Sequence, residues 1–388
     1  MTNLAPLQLR AERLSRREEP ESGQMIEGEE DFFHYDPVFV AFAGGAVYPP
    51  SPSWNQLRQR HATTFTTLYG AVVFGPNFVG DRDGRCYCDS HLFRRGHFDF
   101  FNSSFRAVYP GPHPDAHVDE ADDAAIVTWS EAALEQIIDI DEPVTLLTPI
   151  EPDNWARWVV QVAPKIALAR RLNPGQKLFV RAEKPWQLAF LEKMGVGPGE
   201  IINHDPRRSY RFRRLSFFQH SASDLTVSRA ERRVLRQFAG ECRRAGRPHY
   251  PDRIFLSRLT TSLKTPHYRR LENETELLAA MVDLGFSVIE PELLPLDEQV
   301  RHLDAAGLVV ALGGAGLFNA AFCRDEARVV TIESQPTFIT SHTGFLASMN
   351  LWHGVIYGAP MAARAGDPHA PWTIDVDKVV EALRANFR

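Results

Sequence analysis

A chain of 388 residues exceeds the size at which a single hydrophobic core keeps growing, so two domains are expected. Its 44% apolar and 24% charged residues make a globular composition, and a net charge of −6 offers no general field to a phosphate backbone, which excludes nucleic acid as the main partner. The cysteines Cys86, Cys88, Cys242 and Cys323 lack the spacing of a disulfide framework or a zinc site and read as reduced thiols in a cytoplasmic protein.

Residues 1–34 begin with a mixture of Arg and Glu, carry no apolar signal segment and are expected to form a poorly ordered tail. Short apolar strands follow at Val38 to Phe42, Val72 to Phe74, Ala125 to Trp129 and Val144 to Leu147. Trp155 to Leu172 has helical spacing with cations late in it, and Pro174-Gly175 stops it. A strand at Lys177 to Val180, a helix around Trp186 to Met194 and a strand near Glu200 to Asn203 suggest parallel-sheet units. The helix Ser228 to Ala245 is so rich in charge that it reads as a solvated face or an interdomain connection, and Arg247 to Asp252 reads as a linker.

From Arg253 the alternation is regular. Ile254 to Leu256 is a strand, Asn273 and Glu276 form a capping box for a helix closed by Gly285, and Phe286 to Ile289 is the next strand. Asp297 caps another helix, and Leu308 to Leu312, Leu317 to Phe322 and Arg328 to Ile332 continue as strand, helix and strand. Ala305 to Cys323 carries no charge over 19 residues, yet its four glycines and Asn319 indicate strand, turn and helix rather than a membrane span. The chain thus divides into a tail, an α/β domain at 35–246, an α/β domain at 247–370, and an amphipathic helix at 371–388 packing back toward the first domain.

The strand Leu308 to Leu312 runs into Gly313-Gly314-Ala315-Gly316-Leu317 and a helix start, where free backbone N–H groups bind a diphosphate. Glu333 follows Gly314 by 19 residues and ends the next strand, a position from which an acid accepts hydrogen bonds from a ribose. Arg258 follows another strand, and Arg269, Arg270, Asn273 and Glu274 precede or open the next helix, so the arginines should converge with the glycine turn at one rim. The same glycines also suit a tight strand-to-helix corner with no ligand.

Ser257-Arg258, Arg269-Arg270-x-x-Asn273-Glu274-x-Glu276, Leu284-Gly285-Phe286, Glu298-Gln299, Gly314-Ala315-Gly316-Leu317-x-Asn319 and Phe322 resemble, in order and spacing, the carboxyl-terminal half of glycosyltransferase family 61. The resemblance covers about Thr63 to Gly358 and is densest after Arg253. It implies a GT-B architecture of two Rossmann-like domains facing a cleft, inverting transfer, and a nucleotide-sugar donor, commonly UDP-linked. It also implies donor contacts from Arg258, Arg269, Arg270, Asn273, Glu274 and the glycine turn. This chain departs from the family at Gly313, where a His usually stands, and at Asn154-Trp155-Ala156-Arg157-Trp158, where the family segment is Asn-x-x-His-Trp.

Inverting transfer needs a base for the acceptor hydroxyl and positive charge for the leaving diphosphate. Arg157 suits a diphosphate or an acidic acceptor; Asp89, Glu183 and His220 are the candidate bases. Asp81-Arg82-Asp83 has a metal-binding form but is more simply a hairpin turn, and the histidines show no ligand spacing, so no metal and no tightly bound cofactor are expected. Phe98, Phe100, Phe101, Phe105 and Trp186 suit either a sugar-stacking surface or core packing. The expected partners are a nucleotide-sugar donor and a carbohydrate or other hydroxyl acceptor. Peripheral membrane association is compatible with the sequence. A dinucleotide-dependent oxidoreductase and a noncatalytic nucleotide-sugar-binding relative are the alternatives.

Overall fold

The computed structural model describes residues 24–27, 31–81, 86–88, 91–92, 115–119, 124–128, 131–219 and 225–387, apart from 46, 53, 61, 62, 245–249, 266, 267, 362–366 and 368. These form two compact units, one from the described residues of Met1–Glu29 and Ala62–Ser223, the other from those of Glu30–His61 and Asp224–Arg388.

The first unit is a mixed sheet. Ile201–Asn203, Lys177–Val180, Val144–Leu146 and Tyr210–Gln219 lie parallel. Thr63–Phe74 then pairs antiparallel with Tyr210–Gln219 and with Phe78–Gly80, which pairs with Cys86–Cys88. The expected Rossmann-like pattern therefore covers only part of this unit, because the short connection around Gly75 and Asn77 can join only antiparallel neighbours. Trp155–Arg157, Trp158–Val162 and Ala163–Leu172 continue one another as a helix whose middle turn is π-helical.

The second unit is built on six strands, β1 (Phe39–Phe42), β2 (Arg253–Leu256), β3 (Ser287–Ile289), β4 (Leu308–Leu312), β5 (Arg328–Glu333) and β6 (Trp352–Tyr357). Their order is β3-β2-β4-β5-β6-β1 and every pair is parallel. All five residues of β4 are buried, as a central parallel strand covered on both faces requires. The helices are α1 (Arg229–Arg244), α2 (Leu259–Lys264), α3 (Glu274–Asp283), α4 (Leu296–Ala305), α5 (Ile339–Ser348) and α6 (Val376–Asn386). Gly285, at φ 80°, closes α3, with the Phe286 amide donating to the Met281 carbonyl at 3.0 Å. The uncharged run through β4 resolves into strand, turn and 3₁₀ helix, and among the described residues no helix is long and apolar enough to cross a membrane.

Five sequence expectations change. Within the supposed tail, Gln24–Glu27 and Asp31–His34 are strands, paired with Thr63–Phe74 and Leu57–Arg60; the rest, residues 1–23 and 28–30, lies outside the described residues. β1 belongs to the second unit, where it extends the parallel sheet beside β6. The unit boundary falls before α1 rather than at 247, because α1 buries Leu235, Phe238 and Ala239 and sets Phe238 against Phe322 at 5.9 Å. The proposed caps hold in part or not at all: Asn273 is the N-cap residue of α3 and its Nδ2 donates to Glu276 at 3.2 Å, but its side chain binds Ile374 and no helix amide, while Asp297 lies inside α4, whose N-cap is Pro295. Finally, α6 packs within its own unit, its Val376, Val379 and Leu383 sharing a core with Leu277 and Met281 of α3.

Candidate functional site

Chain order reverses at β2, which has β3 on one side and β4 on the other. At such a point the loops leaving the carboxyl ends of neighbouring strands diverge and open a crevice. Here those loops are Ser257-Arg258 and the glycine turn, and Arg258 spans them, its Nη1 donating to the Gly313 carbonyl at 2.9 Å. Glu274, buried at the start of α3, accepts from the Ser257 hydroxyl at 2.7 Å and from the Arg258 amide at 2.8 Å. Burial raises the Glu274 carboxyl above its ordinary range against the pull of these donors. Glu274 thus sets the shape of the arginine loop from below, rather than presenting itself to a donor.

Gly314 has φ 140° and ψ −168°, a conformation that side-chain-bearing residues rarely adopt. The first bond of the following 3₁₀ helix runs from the Leu317 amide to the Gly314 carbonyl at 3.0 Å, so the amides of Ala315 and Gly316 precede the helical ladder. Ala315 is exposed, and a Cβ built on Gly316 meets nothing within 4 Å, so the bend is open at the place where an anion would enter. Leu317 and Asn319 face inward: Leu317 is in the core, and Asn319 Nδ2 holds the Gly316 carbonyl at 2.9 Å. Both shape the turn; neither offers a donor contact.

Glu333 is not where a ribose reaches it. Its carboxylate is buried beneath Gly313, so close that a Cβ at Gly313 would lie 2.1 Å from Oε2. Oε1 accepts from the Thr331 hydroxyl and is bonded to His342 Nδ1, each at 2.6 Å, while Arg269 Nη2 lies 3.7 Å from Oε2. Burial alone would raise this carboxyl, but His342 and Arg269 hold it below its ordinary value. His342 escaped the sequence reading because a solitary histidine nine residues along the chain carries no local signal of such a partner.

Arg269 joins this group from a left-handed backbone, φ 53°, with its guanidinium 4.5 Å from the Phe338 ring centre. Burial, followed by the like charge of Arg269, pushes the Arg258 guanidinium below its ordinary value, with Glu274, Tyr268 and Glu333 opposing. Two cations that disfavour each other beside an open glycine turn gain from an anion. Arg270 instead pairs with Glu272 at 3.6 Å, and Asn273 bonds both backbone groups of Ile374, at 2.8 and 3.2 Å. The structure therefore brings together Arg258, Arg269 and Gly313 to Gly316, and places Arg270 and Asn273 in other contacts.

In the first unit, Arg157 Nε donates to Glu151 at 3.1 Å and Glu183 pairs with Arg181 at 2.9 Å. Trp186 packs edge-on against Trp155 and Trp158, at 5.3 and 5.5 Å, in the manner of a packing residue. Asp81 accepts from the Tyr87 hydroxyl at 3.2 Å, and the antiparallel pairing of Gly80 with Cys86 fits the hairpin reading. Asp83, Asp89, His220 and the phenylalanines Phe98, Phe100, Phe101 and Phe105 lie outside the described residues.

Residues 131–330 match the family model described as Glycosyltransferase 61. The match includes both arginines and the glycine turn and stops before Glu333 and His342. No curated protein matches the chain.

Proposed function

The chain belongs to glycosyltransferase family 61, and from that premise we propose an inverting, GT-B-type transferase that moves a sugar from a nucleotide diphosphate, UDP above all, to a hydroxyl of a glycan or other acceptor in polysaccharide or glycoconjugate assembly. The observation that carries the donor side is Arg258, fixed by Glu274 and by the Gly313 carbonyl over an open turn, with Arg269 beside it. In this reading the diphosphate lies against the amides of Ala315 and Gly316. As the leaving group it gains negative charge in the transition state, and guanidiniums already in position stabilise that charge without reorganising. The arginines supply the charge that a metal supplies elsewhere, and the reaction takes place in the cytoplasm. We assign acceptance of the acceptor's proton to one of Asp89, Glu183 and His220, and to Arg157 a contact with a charged substrate.

The engagement of Glu333 with Thr331 and His342 weighs against a dinucleotide site, whose acid must be free for a ribose. The test is incubation with a panel of nucleotide sugars and acceptors, with the released nucleoside diphosphate measured. Turnover is expected in the native chain, and Arg258→Ala should lower it about 100-fold. Undiminished turnover in that variant would remove Arg258 from the site, whereas nucleotide binding without release would make the protein a noncatalytic relative.

A further inference from the structure

Next to the cations stands an aromatic column. Tyr268 is 47% exposed and stacks on the His369 ring, with centres 4.8 Å apart and planes 15° from parallel. His369 in turn lies 5.7 Å from Phe338, the ring beneath the Arg269 guanidinium. The column is held by backbone pairing between the two segments that carry it. The Arg269 amide donates to the His369 carbonyl at 2.7 Å, the Trp372 amide to the Arg270 carbonyl at 2.9 Å, and the Glu272 amide to the Trp372 carbonyl at 2.9 Å. Trp372 Nε1 adds a bond to the Arg269 carbonyl at 3.2 Å. One face of Tyr268 is therefore fixed before any ligand arrives.

We propose that the exposed face of Tyr268, backed by His369, is the seat of the donor's nucleobase. The inference rests on the donor reading of the glycine turn. A nucleoside diphosphate joins a planar ring to an anion in one molecule, and this rim joins a flat aromatic face to two cations and an open turn. Tyr268 adjoins Arg269 in the chain, and its partner His369 lies beside Phe338, the ring under the Arg269 guanidinium, which sets ring and charge in one neighbourhood. Stacking holds any base by its face, so the seat contributes affinity for the nucleoside part and none for the phosphates.

Titration calorimetry with UDP and with inorganic pyrophosphate separates the two parts. The native chain should bind UDP more tightly than pyrophosphate. Tyr268→Ala should weaken UDP about tenfold, as loss of one base–aromatic stack does, while leaving pyrophosphate affinity within about twofold, and Tyr268→Phe should restore UDP binding. Equal losses for both ligands, or undiminished UDP binding in Tyr268→Ala, would overturn the base seat alone. Binding of neither ligand by the native chain would overturn the donor site itself, and the seat with it.

Discussion

Gly313 shows how one missing side chain organises the site. The volume that its Cβ would fill is taken by the Glu333 carboxylate, which in turn holds His342 and faces Arg269. Gly313→Ala therefore has to displace a buried charged group, and overpacking of this kind costs about 1–3 kcal/mol. Urea denaturation should show a lower midpoint, and UDP binding should weaken with it, because the shifted carboxylate takes Arg269 along. An unchanged midpoint together with native UDP affinity would show that the carboxylate has room to retreat. The glycine was readable in the sequence as a tight corner; its reason was not, because Glu333 and His342 reach it from a different strand and a different helix.

At the level of elements, Ser228 with Glu231 and Asn273 with Glu276 stand at the starts of α1 and α3 with the same spacing, and only Ser228 caps a helix amide through its side chain. Ser228 Oγ accepts from the Glu231 amide at 3.2 Å, and Glu231 Oε2 accepts from the Ser228 amide at 2.7 Å, a reciprocal box at the start of α1. Spacing predicts a second box at Asn273 and Glu276, but there the Asn273 side chain, besides donating to Glu276, binds Ile374, next to α6, and no helix amide. Competition between a local cap and a distant backbone partner is invisible to spacing alone. Ser228→Ala should destabilise the second unit by about 1 kcal/mol without changing the denaturant slope. A loss confined to the first unit would show that α1 is not anchored where the structure places it. The charge of α1 concealed its role in the same way, since its buried face is only a narrow stripe through Leu235, Phe238 and Ala239.

Across the molecule, the two units should respond differently to acid. His204, in the first unit, is wholly buried, is bonded through Nδ1 to Thr148 at 2.9 Å, and stacks on Phe179 at 4.3 Å. Burial and then Arg181, against Asp205, bring its pKa from 6.5 down to about 3. The folded state thus favours the neutral ring, and the unfolded chain takes up the proton first as pH falls. This contribution is fully present above pH 6.5 and is lost progressively down to about 3. Glu333, in the second unit, has the same sign in a lower window: its depressed pKa contributes stability above the ordinary carboxylate value of 4.5 that is lost as pH falls through the lower folded value. Between 6.5 and 4.5, the two ordinary values, only His204 weakens its unit, by up to about 1.4 kcal/mol per pH unit. Denaturation at pH 7 and pH 5 should show the first unit losing stability, and His204→Gln should flatten that slope. An equal slope in the variant would assign the acid sensitivity to another group.

The succession of strands and helices from Arg253 to Glu333, the glycine bend and the arginine loop beside it were legible in the amino-acid order alone. Those features follow from backbone hydrogen bonding, burial periodicity and glycine stereochemistry, which act over a few neighbouring residues. Tertiary packing was needed to set β1 into a sheet built mostly from residues more than 200 positions later, to commit Glu333 to His342, and to draw Asn273 to Ile374. Each of these is a choice among distant polar or strand-edge partners, and it is made by which groups burial brings within hydrogen-bonding reach.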